Sequence, residues 1–244
     1  LMIEYETYLK SRGVCPNTSS YYIRRLRAIY NRAVEKGMTV QRDPFKYVYT
    51  GIGKTVKRAV PLKVIRRIRD MDLALFPAMD FARAVFMFSF YTRGMSFIDM
   101  AYLKKKDLQN GILSYRRQKT GQQLFVKWEK PMQEIVDKYD TVSTPYLLPV
   151  IKDMNADARR QYKNAAHLVN DKLKKLGVRL GLDIPLTNYV ARHGWASIAK
   201  SRNIPLATIS EAMGHDSEKT TRIYLASLDT SSVDKANSQI LKAL

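Results

Sequence analysis

Residues 79–92 constrain the fold of this chain more than any other stretch. Phe81, Ala84, Val85, Phe86, Phe88 and Phe90 make it strongly apolar. A helix of that composition has to lie in the middle of a domain with other elements packed round it. It is expected to be a central core helix, with no part in a site. At 244 residues the chain is long enough for one large domain or two small ones. Its apolar fraction of 45% is ordinary for a globular protein, which argues against wholesale disorder.

The elements before that helix read as a smaller helical region. Ile3, Tyr5, Tyr8 and Leu9 fit a short helix over 2–11, broken by residues 13–17 with Pro16 inside the break. Asn17 or Thr18 can cap a second helix over about 18–36. Tyr22, Ile23, Leu26, Ile29, Tyr30, Ala33 and Val34 make one apolar stripe on it, and Gly37 stops it. Arg24, Arg25, Arg27 and Arg32 fall on the other side, with no acid until Glu35. A solvated face usually mixes signs, whereas a face of arginines alone suits phosphate oxygens. Residues 38–60 have loop chemistry and end in a basic run containing Lys54, Lys57 and Arg58, either a linker crossing a duplex backbone or a plain tether. A domain boundary is expected here, giving domains 1–57 and 58–244.

After the boundary the pattern stays mainly helical. Pro61 opens a helix to about 71. Gly94 breaks the core helix, and Ser96 is placed to cap the next one. Arg93, beside that glycine, is either a charge at a helix C-terminus or a site residue. Residues 112–115 and 123–126 flank a basic turn and read as a β-hairpin with Lys119 at its tip. Further helices follow over 131–139 and 157–176, the latter with Ala165, Leu168, Leu173 and Leu176 inward and a structural His167. Thr187 caps another, whose packing stripe is Ala191, Gly194, Trp195 and Ile198 and which places Tyr189 and Arg192 on one side. Pro205 begins one with Leu206, Ile209 and Met213 inward. Gly214 ends it, directly before His215 and ahead of a further turn that carries Tyr224. The tail 231–244 is amphipathic through Val233, Ala236, Ile240 and Leu244.

Charge points to the partner. The formal net charge is +20, and residues 1–70 hold 16 Lys and Arg against 5 Asp and Glu. A polyanion, most simply nucleic acid, is the matching surface. A membrane surface fits less well, because no basic helix has a bulky apolar face free of other duties. The one cysteine, Cys15, permits no internal disulfide and suits a reduced loop thiol in a cytosolic protein. The three histidines are scattered without zinc spacing, so no metal site is expected. Glycine-rich phosphate loops are absent from the sequence. The chain opens mid-pattern at Leu1, which suggests that the natural start lies upstream.

Tyr224 is a candidate nucleophile. Its phenol needs activation, and nearby arginine charge would favour the phenolate and neutralise a phosphate under attack. Attack on a DNA phosphate forms a phosphotyrosine ester that conserves the bond energy, so strands can be rejoined without a cofactor. Lys119 is a plausible proton donor to the leaving sugar oxygen, and His215 could orient groups or share protons. Tyr224 is one of 15 tyrosines, so the case rests on the joint order of these residues.

That order resembles the tyrosine recombinase (phage integrase) family over nearly the whole chain. Residues 191–196, Ala-Arg-His-Gly-Trp-Ala, are similar to the family's second-arginine box, and residues 213–217, Met-Gly-His-Asp-Ser, to its Leu-Gly-His box. Tyr224 stands nine residues after His215, and residues 117–121 look like the hairpin bearing the catalytic lysine. The resemblance implies a helical core-binding domain, truncated at its start, and a mostly helical catalytic domain with a small antiparallel hairpin. The two would close on DNA as a C-shaped clamp. It implies Tyr224, Arg192, His215, Lys119 and Tyr189 as site residues, with a 3′-phosphotyrosine at Tyr224. It also implies double-stranded DNA as partner, a homo-tetramer joined through the tail 231–244, accessory DNA-bending proteins, and a nucleoid-associated place in bacterial cytoplasm. There are two departures. Tyr189 stands where the family has His, and Ser96 stands where it has its first arginine. The second resembles the integrases of conjugative transposons. Either Arg93 or Arg117 would supply the missing guanidinium, Arg93 being preferred for its place beside the turn. Two other readings stay open: an idle DNA-binding module, and a type IB topoisomerase-like strand relaxer, against which the amphipathic tail argues.

Overall fold

The computed structural model describes residues 1–53, 58–139 and 141–225, the side chains of Ile223 and Tyr224 excepted, and falls into two compact units, Leu1–Val56 and Lys57–Leu244. Lys54, Lys57 and the tail 231–244 lie outside the described residues.

The first unit is α1 (Met2–Ser11), α2 (Pro16–Glu35) and a returning loop. Gly13, at a φ of 72°, makes the break between the helices. α2 starts earlier than its candidate caps because Pro16 suits the first helical position. Asn17 is used differently: its side chain donates to Gly53 O (3.0 Å) and accepts from Gly53 N (2.7 Å), pinning the loop to the helix. Ser20 adds a bond to Gly51 O (2.5 Å), and Tyr49 N donates to the buried Glu6 carboxylate of α1 (3.2 Å). Ile23, Phe45 and Val48 form a small core. The expected stripe on α2 is only partly covered. Ile23 is fully buried, but Tyr22, Leu26 and Ile29 are exposed, Ile29 at 68%, because α1 and one loop cover a narrower arc than the stripe spans. Arg24, Arg25, Arg27 and Arg32 are all exposed.

The second unit is built round α4 (Pro77–Tyr91), preceded by α3 (Leu62–Asp70). Ala82, Ala84, Val85, Phe86, Met87, Phe88 and Ser89 of α4 are buried, as its composition requires. After it come α5 (Phe97–Ala101), a 3-10 turn at Lys105–Asp107, and strands β1 (Leu108–Gln109), β2 (Ile112–Arg116) and β3 (Gln123–Lys127). The strands form an antiparallel sheet in the order β1-β2-β3, so the expected hairpin carries one more short strand. The register pairs Leu113 with Val126 and Tyr115 with Leu124, and these four residues are the buried ones. The period of two thus turns one face of the hairpin into the core.

α6 (Lys130–Asp137), α7 (Ala158–Arg179) and α8 (Asn188–Ser201) pack against α4. On α7 the buried row is Val169, Leu173, Leu176 and Gly177, while Leu168, expected inward, is 53% exposed. Val169, Leu173 and Leu176 follow the i, i+4, i+7 row, and Leu168 sits about 100° away from Val169 on the wheel. α9 (Leu206–Ala212) and α10 (Glu218–Leu225) are the last elements among the described residues. A separate small cluster of Ala196, Ala199, Ile209, Met213 and Leu225 joins α8, α9 and α10. Among the described residues no helix is long and apolar enough to cross a membrane.

Phe86 is fully buried in the main cluster around α4. Phe86→Ala is expected to lower unfolding stability by about 3–5 kcal/mol, read as a lower urea midpoint at unchanged slope.

Candidate active site

Two glycine turns build this site. The first ends α4. Gly94 N–H donates to Ser89 O (2.7 Å), and Arg93 and Gly94 both have positive φ, 62° and 78°. The second ends α9, where Gly214, at a φ of 61°, donates to Glu211 O (2.9 Å) and His215 N–H to Ser210 O (3.0 Å). This closing of the last helical turn places His215 directly after it.

Each turn is pressed against an arginine. A Cβ on Gly94 would stand 2.8 Å from Arg192 Cα, and one on Gly214 would stand 2.7 Å from Arg117 Cδ. Only glycine fits both the backbone conformation and the contact. Arg192, 5% exposed on α8, donates from Nη1 to Gly94 O (2.7 Å) and from Nη2 to Met213 O (2.6 Å). Its Nη2 also lies 3.0 Å from His215 Nε2. Arg117, 8% exposed at the end of β2, donates from Nη1 to Gly214 O. Two buried guanidiniums are therefore held by successive carbonyls of one turn. That turn is a helix C-terminus, where the backbone dipole favours cations.

Asp99 ties the second arginine to α5. Ser96 caps α5 by accepting from Asp99 N (3.4 Å), and its hydroxyl donates to Asp99 Oδ2 (2.6 Å). The buried Asp99 also accepts from Gln118 N (2.8 Å), and its Oδ2 stands 4.0 Å from Arg117 Nε. Ser96 thus has a local task at the position where the resemblance expects an arginine, and the carboxylate three residues on meets Arg117.

The other expected site residues are placed less uniformly. Lys119 is exposed in the turn between β2 and β3. Arg93 is half-exposed and donates to Phe125 O on β3 (3.2 Å). Tyr189 is 55% exposed on the first turn of α8, its ring 4.7 Å from that of His193. It lines a cavity of about 340 Å³ with Ser96, Asn188 and Arg192. Tyr224 belongs to α10, which is anchored by the buried Leu225 and Thr221. The geometry thus gathers Arg192, Arg117 and His215, while Arg93 is directed to the sheet.

His215 shows the electrostatics of the site. Burial, then the positive charges of Arg192 and Arg117, hold its pKa down at about 4; Lys119 adds to this and Asp216 opposes it. The imidazole is neutral at pH 7. Neither Asp99, the acid three residues after Ser96, nor Thr221 was named as a site residue from the sequence. The Ser-x-x-Asp spacing at 96–99 is a capping signal that could have marked Asp99. Nothing local marks Thr221, whose hydroxyl lies 2.7 Å from His215 Nδ1.

The depressed His215 pKa carries a sign for stability. Between its ordinary value of 6.5 and about 4 the unfolded chain binds a proton that the folded chain refuses. Stability therefore falls as pH drops through that window. Thermal melting of His215→Gln is expected to fall less steeply between pH 6.5 and 5 than that of the unaltered protein.

The model of the phage integrase family matches residues 71–231, and that of the phage integrase SAM-like domain matches residues 1–51. Tyrosine recombinase XerA of Saccharolobus solfataricus is 27% identical over 142 residues, which is 58% of this chain and 43% of that protein. XerA of Thermococcus onnurineus is 24% identical over 257 residues, covering 91% of this chain and 88% of that one. The chain thus spans under half of the first relative and most of the second. The fold is similar to that of lambda integrase in its tetramer bound to a Holliday junction, with a TM-score of 0.68, 14% identity, and coverage of 91% of this chain and 63% of that one. The chain belongs to the phage integrase, or tyrosine recombinase, family.

Proposed function

We propose that this chain is a site-specific DNA recombinase that cuts and reseals DNA through a 3′-phosphotyrosine at Tyr224. The observation that carries the reading is the convergence of Arg192, Arg117 and His215 on the Met213–Gly214 turn, just upstream of the helix that bears Tyr224. Two guanidiniums suit the two non-bridging oxygens of a phosphodiester and the charge that builds on them during attack. Tyr224, as the phenolate that nearby arginine charge favours after its proton is lost to solvent, would attack phosphorus through Oη and the bond to the 5′-oxygen would break. Lys119, exposed on the hairpin turn, would protonate that oxygen. A free 5′-hydroxyl from another strand then reverses the step, since the ester conserves the bond energy.

The position of Arg117 supports it, over Arg93, as the second guanidinium in a chain with Ser96 at the usual arginine position. Two buried arginines beside His215 also weigh against an idle DNA-binding module. Tyr189 would contribute a phenol hydrogen bond to the phosphate. In this reading residues 1–57 are the core-binding domain, with Arg24, Arg25, Arg27 and Arg32 on the DNA backbone, joined by Lys54, Lys57 and Arg58 of the linker. Residues 58–244 are the catalytic domain. The substrate is double-stranded DNA, and the product is the integration or excision of a mobile element, a phage or a conjugative transposon. Pairing two sites would use a homo-tetramer linked through the tail 231–244, with accessory bending proteins, in the bacterial cytoplasm.

A nicked DNA substrate that traps the intermediate is expected to give a covalent adduct, lost in Tyr224→Phe; an adduct from that variant would overturn the assignment. On the same substrate Arg117→Ala should slow cleavage by about 10²–10³-fold, and Arg93→Ala should leave it near the unaltered rate.

A further inference from the structure

Two contacts of His215 point to one arrangement of its protons. A guanidinium has donors and no acceptor, so the ring nitrogen facing Arg192 Nη2 at 3.0 Å must present a lone pair. That nitrogen is Nε2. The proton of the neutral ring then sits on Nδ1, which lies 2.7 Å from Thr221 Oγ1, an oxygen that can accept it. Thr221 is fully buried, so no bulk water competes for this bond. The opposite tautomer would aim a second N–H at the guanidinium and leave Nδ1 as an acceptor.

Thr221 is also part of α10, the helix that carries Tyr224 one turn further on. Residues three apart on a helix move together as one rigid turn. The bond from His215 therefore crosses from the end of α9 to α10 and is made only when α10 is seated. Leu225, packed on Ala196, Ala199, Ile209 and Met213, seats the same helix from its apolar side.

We propose that Thr221 is a positioning residue that, together with Arg192, holds His215 in the Nδ1–H tautomer and ties the orientation of its ring to docking of the nucleophile helix. Its role in catalysis rests on the reading of Tyr224 as nucleophile; its role in setting the tautomer does not. A seated helix presents Tyr224 and, by the same contact, turns the Nε2 lone pair of His215 toward the arginine-lined centre. An unseated helix loses both, which prevents cleavage by a half-assembled site. The low pKa of His215 agrees with a ring that is neutral when the helix is seated.

The test uses the full chain labelled with ¹⁵N and two variants, Thr221→Ser and Thr221→Val. Long-range ¹H–¹⁵N correlation at pH 7 reads the protonated nitrogen of His215. The unaltered protein and Thr221→Ser are expected to show Nδ1–H, and Thr221→Val a shift toward Nε2–H. On nicked DNA, Thr221→Val should form adduct at least about tenfold more slowly, with Thr221→Ser restoring most of the rate. An Nε2–H tautomer in the unaltered protein overturns the proposal. So does a Thr221→Val protein that keeps Nδ1–H, even if its adduct forms slowly, since the loss would then be structural. If Thr221→Val does not fold, the tautomer of the unaltered protein and the rate of Thr221→Ser decide the matter. Absence of adduct from the unaltered protein would refute Tyr224 as nucleophile and leave the tautomer measurement standing.

Discussion

The site depends on one buried guanidinium. Arg192 spans two chain turns that lie more than 100 residues apart in sequence, donating to Gly94 O at one end and Met213 O at the other. Each charge-assisted bond of this kind contributes about 1.5–3 kcal/mol, and removing the arginine would leave buried carbonyls without it. Its cost is close approach: Gly94 must lack a side chain because a Cβ would overlap the arginine stem. The end of the core helix, the middle of α8 and the end of α9 are thus locked to one another through a single side chain.

A second lock repeats the first with different parts. Arg117 reaches from the sheet to Gly214 O, and Gly214 in turn leaves room for its stem. The two arginines share one turn, and His215 follows that turn immediately. Positive charge is thereby gathered at a helix C-terminus. The accumulated charge has a visible effect, since it helps to hold the His215 pKa near 4. In the proposed function the ligand is a phosphate, whose charge and oxygen geometry answer this arrangement.

The role of Ser96 shows why residue type and residue role separate. From the sequence Ser96 is a cap, and in the structure it does cap α5 and bond Asp99. In the proposed function the counterpart of the arginine that the resemblance expects at that position is Arg117, 21 positions later. The β2 strand carries it back to Asp99. Arg93 was the nearer candidate along the chain, but its side chain goes to the backbone of β3. The strand return, which sequence spacing does not express, is what brings Arg117 close to Asp99.

Much of the architecture was nevertheless legible along the chain. The apolar 79–92 stretch had to be the core helix, and the alternation at 112–115 and 123–126 had to be a half-buried hairpin, because burial follows periods of 3.6 and 2. The glycine stops at 94 and 214 and the order Arg192, His215, Tyr224 were likewise visible, since turn chemistry and chain order are local properties. Which face of α7 is inward was misread at Leu168, and the α2 stripe was judged wider than its cover, because both depend on what packs opposite. The pairing of Arg117 with Gly214 and of Thr221 with His215 was decided by tertiary structure alone. Contacts between residues 97 apart, or between one helix and the turn before it, depend on how elements meet, and no local pattern encodes that.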